Sequence, residues 1–294
     1  MNVGRKSASE IRGTARELLA GPPPELRFRR RLSLVGAIRE LWKGRELVRT
    51  LTEREFRVRY KQAYLGFAWA IITPVAMMLV FSLIFGRVAR VDTGGVPYPL
   101  FSYLGLLPWT LFSNSISNGG LSLFSNSTLL NKVYCPREVF PIASVLVACG
   151  DALIATSVLV VLFAVYGFVP TATVAWAPLL LPIQLAYTVG VTLIVSVIVV
   201  YLRDMRHALP IILQLGLLAT PVAYGMDVYP ERLQPWIAVI NPLAPVIDSY
   251  RRTILYAQPP DWSLVVPGAI SAFTVLAVGY VIFKRLETGI ADVA

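Results

Sequence analysis

The segment RVRYKQAYLGFAW (residues 57–69) joins a basic, amphipathic stretch to an apolar run that continues to Phe85. The hydrocarbon core of a bilayer is about 30 Å thick, so a helix needs about 20 apolar residues to cross it. The run 67–85 is long enough for one crossing. Over the whole chain 56% of the residues are hydrophobic and the mean hydropathy is +0.64, which excludes a soluble protein. The sequence therefore predicts an integral membrane protein.

Positive charge is concentrated at the N-terminal end of the chain. The net charge is +10, but 16 of the 27 Lys and Arg residues precede Gln62. This asymmetry is typical of the cytoplasmic side of a membrane protein rather than of a nucleic-acid binder, so we expect no nucleic-acid partner. Residues 1–40 lack the apolar core of a signal peptide, and we expect a largely irregular, basic cytoplasmic tail.

Six apolar segments follow, at residues 67–85, 103–124, 139–168, 178–202, 208–226 and 263–283. Six crossings place both ends of the chain on one side of the membrane, including the short C-terminus 287–294. With that topology 22 Lys and Arg residues lie inside and five outside, as the positive-inside rule requires. The predicted fold is all-α, with one transmembrane domain over residues 66–286.

Residues 41–65 alternate apolar and basic side chains at a spacing close to the helical period. The pattern predicts an amphipathic helix that lies in the membrane interface. Its candidate functional residues are Arg54, Arg57, Arg59, Tyr60 and Lys61. Two roles fit this composition: attraction to anionic lipid headgroups, and docking of a partner protein.

The second apolar segment is the most polar of the six, because it contains SNSISNGG (113–120). Small and polar residues allow close helix packing and interhelical hydrogen bonds, but they also line hydrated paths, and the sequence leaves both roles open. Asp151 is the one ionisable residue clearly inside a predicted span. It is expected to cap a helix break, to pair with a basic group or to line the path.

The segment 227–262 is moderately apolar and is interrupted by six prolines. A seventh crossing over 237–255 would bury Asp248, Arg251 and Arg252 at a cost of about 2.5–3.5 kcal/mol each. It would also place the basic residues at the C-terminal end, Lys284 and Arg285, on the outer side, against the positive-inside rule. We therefore expect two short re-entrant helices on the outer face.

The residues that catalysis requires are missing from the sequence. No phosphate-binding loop occurs, so the chain is not expected to hydrolyse ATP or to act as an enzyme. The single histidine, His207, lies in a charged turn, and no pair of aspartates offers metal ligands. An ion-driven carrier and an intramembrane transferase remain the alternatives from other functional classes.

Short motifs occur in a characteristic order along residues 40–286. They are RYK (59–61), LG (65–66), Trp69, KVY (132–134), PRE (136–138), RD (203–204) and NP (241–242). Together they resemble the permease subunits of type-2 ABC exporters, in the branch that exports O-antigen, capsule and teichoic acid. Cys135 departs from the aromatic residue that the family often has at that position.

The resemblance implies a coupling loop, 126–138, that meets a separate ATPase chain. Its residues, with those of a second cytoplasmic turn, would be Lys132, Tyr134, Pro136, Arg137, Glu138, Arg203 and Asp204. The resemblance also implies two permease copies and two ATPase copies, with no cofactor in this chain and with ATP and Mg bound by the ATPase.

The resemblance further implies a polyprenyl-linked glycan, such as an O-antigen-like glycan or a cell-wall galactan, as the exported substrate in a bacterial inner membrane. Teichoic acid, a drug or a small lipid is the alternative. The candidate glycan pathway is Trp109, Phe112, Ser113, Asn114, Asn118, Tyr187 and Tyr224. The outer segment, 227–262, would form a gate with Asn241, Pro242, Asp248 and Arg251.

Overall fold

The structure, a computed structural model, describes residues 44–61, 66–126 and 136–287. These ranges contain nine α-helices and no strand, which confirms the all-α prediction. The helices are α1 Arg45–Lys61, α2 Ala68–Phe81, α3 Tyr98–Ser125, α4 Val139–Val165, α5 Ala177–Tyr201, α6 Met205–Ala219, α7 Gln234–Ile240, α8 Leu243–Ile254 and α9 Trp262–Leu286. A π-helical stretch, Ser82–Val88, extends α2, and 3-10 helices, Ala172–Trp176 and Met226–Val228, precede α5 and α7.

Some predicted features lie outside the described residues. These are the tail 1–40, the loop residues Lys132, Tyr134 and Cys135, and the C-terminus from residue 288. The predicted amphipathic helix 41–65 corresponds to α1, and its flanks 41–43 and 62–65 also fall outside the described ranges.

Four helical segments of the described chain are long and apolar enough to cross a membrane: Ala68–Val88, Val139–Val165, Ala172–Tyr201 and Trp262–Leu286. They coincide with the first, third, fourth and sixth predicted spans. The second predicted span lies in α3, which has 28 residues but a more polar composition. The fifth lies in α6, which is apolar but only 15 residues long.

Local backbone chemistry sets the helix ends that differ from prediction. Helix α3 starts at Tyr98, and Pro97 immediately precedes it. Proline is tolerated at the start of a helix, where the backbone N–H has no intrahelical partner. Gly167 adopts φ +62° just after α4, a conformation that favours glycine and stops the helix. Thr220 is extended because Pro221 follows it, so α6 ends at Ala219 and the predicted fifth span is shortened.

Glycines allow the central helices to pack closely. Helix α3 packs against α4 and α5, and α5 packs against α9. A Cβ atom on Gly190 of α5 would lie 2.7 Å from the Cα atom of Leu276 in α9, and one on Gly279 would collide with the carbonyl oxygen of Gly190. Gly119 and Gly120 give α3 similarly close contact with α5. Small residues therefore bring the helix backbones together, as is usual in membrane bundles.

Helix α1 lies beside the first half of α4. Ser144 Oγ donates to Glu55 Oε2 at 3.0 Å, and Arg59 pairs with Asp151 further along. Trp69, near the start of α2, lines the same cavity as Asp151. The first 12 residues of α4, 139–150, form an extension about 18 Å long, and α1 packs against this extension.

The contact between α5 and α9 predicts the effect of adding one methyl group. We expect Gly190→Ala to destabilise the bundle by about 1–3 kcal/mol, since the new Cβ meets backbone atoms that cannot move aside as a flexible side chain can. Thermal unfolding of the purified chain in detergent measures this. Ala164→Val, on an exposed face of α4, is the control. Equal midpoints for both variants would contradict the close packing of α5 and α9.

Candidate functional site

A buried carboxylate in α4 holds the end of α1. Asp151 accepts hydrogen bonds from Arg59 Nη1 and from the Tyr60 hydroxyl. A buried charge is tolerated only when it is paired and hydrogen-bonded, and these two neighbours supply both. Burial, together with the hydrogen bond to Asp151, raises the pKa of Tyr60 to about 12, so its hydroxyl remains a donor at neutral pH.

This cluster borders a cavity of about 490 Å³ between α1, α2, α3 and α4, and Leu217 of α6 also lines it. The volume is in the range of small-molecule sites. The cavity brings together residues that the sequence assigned to two separate functions. They are Arg59 and Tyr60 of the amphipathic helix and Trp109, Ser113, Asn114 and Asn118 of the predicted pathway. Trp69 and Thr73 of α2 also line it, and sequence reasoning did not select them for the pathway.

Helix α3 carries two different polar faces. Asn114 and Asn118 are exposed, one turn apart, and Asn118 Nδ2 donates to the Asn114 carbonyl oxygen at 2.7 Å. Ser115, on another face, and Ser122, one turn beyond Asn118, are buried and donate to carbonyl oxygens of their own helix. The serines therefore serve packing, while the asparagine amides face the cavity. Packing is thus observed for the serines, and the role of the exposed asparagines in a hydrated path stays a prediction.

The register of α3 and α4 gives the depth of the asparagines. The two helices run antiparallel: Tyr103 Oη donates to the Ala155 carbonyl oxygen at 2.7 Å, and Gly119 faces Ser144 near the other end. Asn118, which precedes Gly119, therefore lies level with the extension of α4 beside α1. This half of α3 is the polar half, which explains the lower hydropathy of the helix.

The predicted aromatic residues of the pathway occupy three environments. Trp109 lines the cavity, although only 6% of it is exposed, and its ring lies against Gly216 of α6. Phe112 is also buried and stacks on Tyr187, with ring centroids 5.2 Å apart. Tyr224 is away from this cavity: its hydroxyl donates to the Leu218 carbonyl oxygen at 2.9 Å, near the end of α6.

A fully buried arginine organises the segment between α6 and α9. Arg251 of α8 donates to four backbone carbonyl oxygens, and its guanidinium lies 3.7 Å from the centroid of the Phe101 ring. The acceptors are those of Phe101 at 3.2 Å, Pro221 at 2.8 Å, Val222 at 2.5 Å and Tyr224 at 2.9 Å. Arg251 thereby satisfies carbonyl groups of the non-helical turn after α6, which would otherwise be unpaired.

The other residues predicted in this segment position α8. Asn241 Nδ2 donates to Thr220 Oγ1 at 2.8 Å, and Asn241 Oδ1 accepts from the backbone N–H of Leu243 at 3.3 Å. Pro242 immediately precedes α8, and the partly buried Asp248 lies one turn before Arg251.

The residues that precede α4 are tied to the end of α9. Glu138 is fully buried, and Lys284 Nζ donates to its Oε2 atom at 2.7 Å. Lys284 also pairs with Glu287 at 2.9 Å, and Arg137 donates to the carbonyl oxygen of Glu287. Pro136 beside them is half-buried. Glu138 therefore faces the bundle and is not a surface group in the described structure.

Several predicted residues remain at the surface. Arg203 and Asp204 lie exposed in the turn between α5 and α6. Arg54, Arg57 and Lys61 are exposed on the outer face of α1, whereas Arg59 and Tyr60 face inward. The helical period accounts for this division, since Leu51, Glu55 and Arg59 lie on one side of α1.

Comparisons with known proteins identify relatives over most of the chain. The family model described as ABC-2 type transporter matches residues 46–255. The O-antigen export system permease protein RfbA of Myxococcus xanthus is 31% identical over 256 residues, covering 86% of this chain and 98% of that protein. RfbA of Klebsiella pneumoniae is 29% identical over 84% of this chain and 95% of that protein. The polysialic acid transport protein KpsM of Escherichia coli is 26% identical, over 82% and 93%.

The Glu138–Lys284 pair predicts a large cost for removing one partner. We expect Lys284→Met to destabilise the chain by about 3 kcal/mol, because Glu138 would remain buried without its cation. Thermal unfolding in detergent measures the loss. Glu53→Gln, which breaks the exposed Arg49–Glu53 pair, is the control and should change the midpoint little. A small effect of Lys284→Met would show that the pair does not hold these elements together.

Proposed function

Because this chain belongs to the ABC-2 type transporter family, we propose that it exports a polyprenyl-linked polysaccharide through a path that begins at the cavity beside Asp151. The chain is a permease of the polysaccharide export branch, and it moves polysaccharide across the membrane. It is an integral protein of the bacterial inner membrane. Permease subunits of this family lack ATPase activity, so the energy comes from a partner ATPase.

The cavity is the observation that carries the proposed path. It combines indole rings, which present flat apolar faces to sugar rings, with amide and hydroxyl groups that can bond to sugar hydroxyls. Its Asn114 and Asn118 end lies beside α1, on the side where the basic residues are concentrated. A glycan arriving from the cytoplasm would therefore meet this end first.

Six crossings require that α3 and α6, which fall short of the length or hydropathy of a membrane span, also cross the bilayer. In α3 the polar half lies level with α1, and the apolar half, which begins at Tyr98, would cross most of the bilayer. Helix α6 is about 22 Å long, and the turn that Arg251 binds would extend it towards the outer surface. With six crossings both termini are cytoplasmic.

The segment with α7 and α8 would form the outer gate. Arg251 links this segment to α3 and to the turn after α6 through backbone carbonyl groups, and its guanidinium also lies over the Phe101 ring. Such bonds hold the segment in one arrangement without closing it permanently. Movement of α8 would carry the guanidinium away from four acceptors together, so the gate would have two distinct states.

The cytoplasmic surfaces would receive the ATPase. The loop 126–138 leads directly into α4, and Glu138 links it to α9, so force applied to the loop would reach two spans. The exposed basic residues of α1 provide a second contact for the ATPase or for anionic lipid. Two copies of this chain with two ATPases, which bind ATP and Mg, would form the complete exporter.

Transport in proteoliposomes tests the path. We expect Asn114→Leu with Asn118→Leu to lower ATP-dependent transport of a polyprenyl-linked glycan at least about tenfold, because the sugar hydroxyls lose two hydrogen-bonding side chains. Assembly with the ATPase should persist. Ser157→Leu, an exposed polar position on α4 that does not line the cavity, is the control. Normal transport by the double variant would remove the cavity from the path.

The exposed face of α1 yields a second prediction. We expect Arg54→Glu with Arg57→Glu to weaken association with the ATPase, since both side chains point away from the bundle and are free to meet a partner. Co-purification at low and high salt measures the loss. Arg232→Glu, exposed in the segment between α6 and α7, is the control for net charge. Unchanged ATPase binding with reduced binding to anionic vesicles would instead assign this face to lipid.

A further inference from the structure

The cavity carries no uncompensated charge among its described residues. The charged side chains that line it there are Arg59 and Asp151, and they form an ion pair. The Tyr60 hydroxyl donates to the same carboxylate. The remaining polar groups of the lining, including those of Asn114 and Asn118, are neutral.

A cavity lined by neutral groups favours an uncharged polymer over an anionic one. A sugar hydroxyl that leaves water can replace its lost hydrogen bonds with amide, hydroxyl and indole groups. An ionised carboxylate or phosphate in each repeating unit would leave water without meeting a free cation, and such a transfer is strongly unfavourable. Family membership does not decide between neutral and acidic polymers, because the relatives include proteins named for O-antigen export and for polysialic acid transport.

We propose that the cavity selects a glycan whose repeating units are uncharged, and that Asp151 sets this selectivity by neutralising Arg59. The inference rests on the proposed function, since it assumes that the glycan passes this cavity. Asp151 is thus a specificity-determining residue: without its carboxylate, Arg59 would be a free cation at the wall of the path. The linking phosphate of the carrier lipid does not enter the comparison, because it is common to neutral and acidic glycans.

The geometry gives Arg59 a position from which it could act on a passing anion. Its side chain is 27% exposed, whereas that of Asp151 is 9% exposed, so the guanidinium is the more accessible member of the pair. Asp151 also holds Arg59 in place against the cavity wall. Replacing Asp151 by asparagine keeps the size of the side chain and removes its charge, so the guanidinium becomes available to a substrate.

A competition between two polymers tests the inference. The chain and its ATPase are reconstituted in proteoliposomes with two polyprenyl-linked glycans of equal length, one neutral and one with a uronic acid in each repeating unit. We expect the wild type to transport the neutral glycan at least about tenfold faster. We expect Asp151→Asn to reduce this ratio about tenfold, and less at high salt, because a free cation attracts the acidic polymer.

The variant Arg59→Gln with Asp151→Asn is the matched control. It removes both charges, so it should return the ratio to the wild-type value whatever its overall rate. Equal wild-type rates for the two glycans would overturn the inference and leave the proposed function intact. A parallel fall of both rates in Asp151→Asn, with the ratio unchanged, would show that Asp151 only holds the structure. ATP hydrolysis without transport of either glycan by the wild type would refute the proposed function as well.

Discussion

The ion pair between Arg59 and Asp151 determines how the amphipathic helix meets the bundle. A carboxylate buried in α4 needs a cation and a further donor, and the last turn of α1 supplies both. The same turn fixes the approach to α2, because the Tyr60 ring stacks on Phe67 with centroids 4.5 Å apart. This one side-chain cluster therefore joins α1 to two other helices of the cavity wall, α2 and α4.

Buried charges are stabilised in two different ways at the two ends of the bundle. Near the loop before α4, Glu138 and Lys284 join segments 146 residues apart, and Arg59 and Asp151 join segments 92 residues apart. Between α6 and α9, Arg251 instead bonds to backbone carbonyl groups. These ion pairs join the end of α1 to the middle of α4, and the residue before α4 to the end of α9. A cation held by carbonyl groups leaves no buried anion behind when it moves, which suits a segment that opens.

Hydropathy is a property of local sequence, and the features that depend on it alone were predictable. The all-α class is confirmed for the described residues, and four of the six predicted spans coincide with helices long and apolar enough to cross a membrane. The sequence placed Asn114 among the candidate pathway residues, and Asn114 lines the cavity. The rotation of a helix about its axis depends on its neighbours, so the sequence did not predict that Ser115, the next residue, is buried. The inward position of Arg59 could be predicted from the sequence, because Arg59 lies at a helical spacing from Leu51 and Glu55. Asp151 could not be identified from the sequence as the partner of Arg59, because that contact exists only in the folded bundle.

Packing alone does not explain an ion pair at the cavity wall. A pair of apolar side chains of similar volume would fix α1 against α4 at least as well, because desolvation offsets much of the attraction between buried charges. Apolar side chains there would, however, leave an apolar wall opposite Asn114 and Asn118, where sugar hydroxyls would lose hydrogen bonds. A compensated pair keeps the wall polar without making it charged. That combination suits the passage of a hydrated, uncharged polymer better than it suits the stability of the fold.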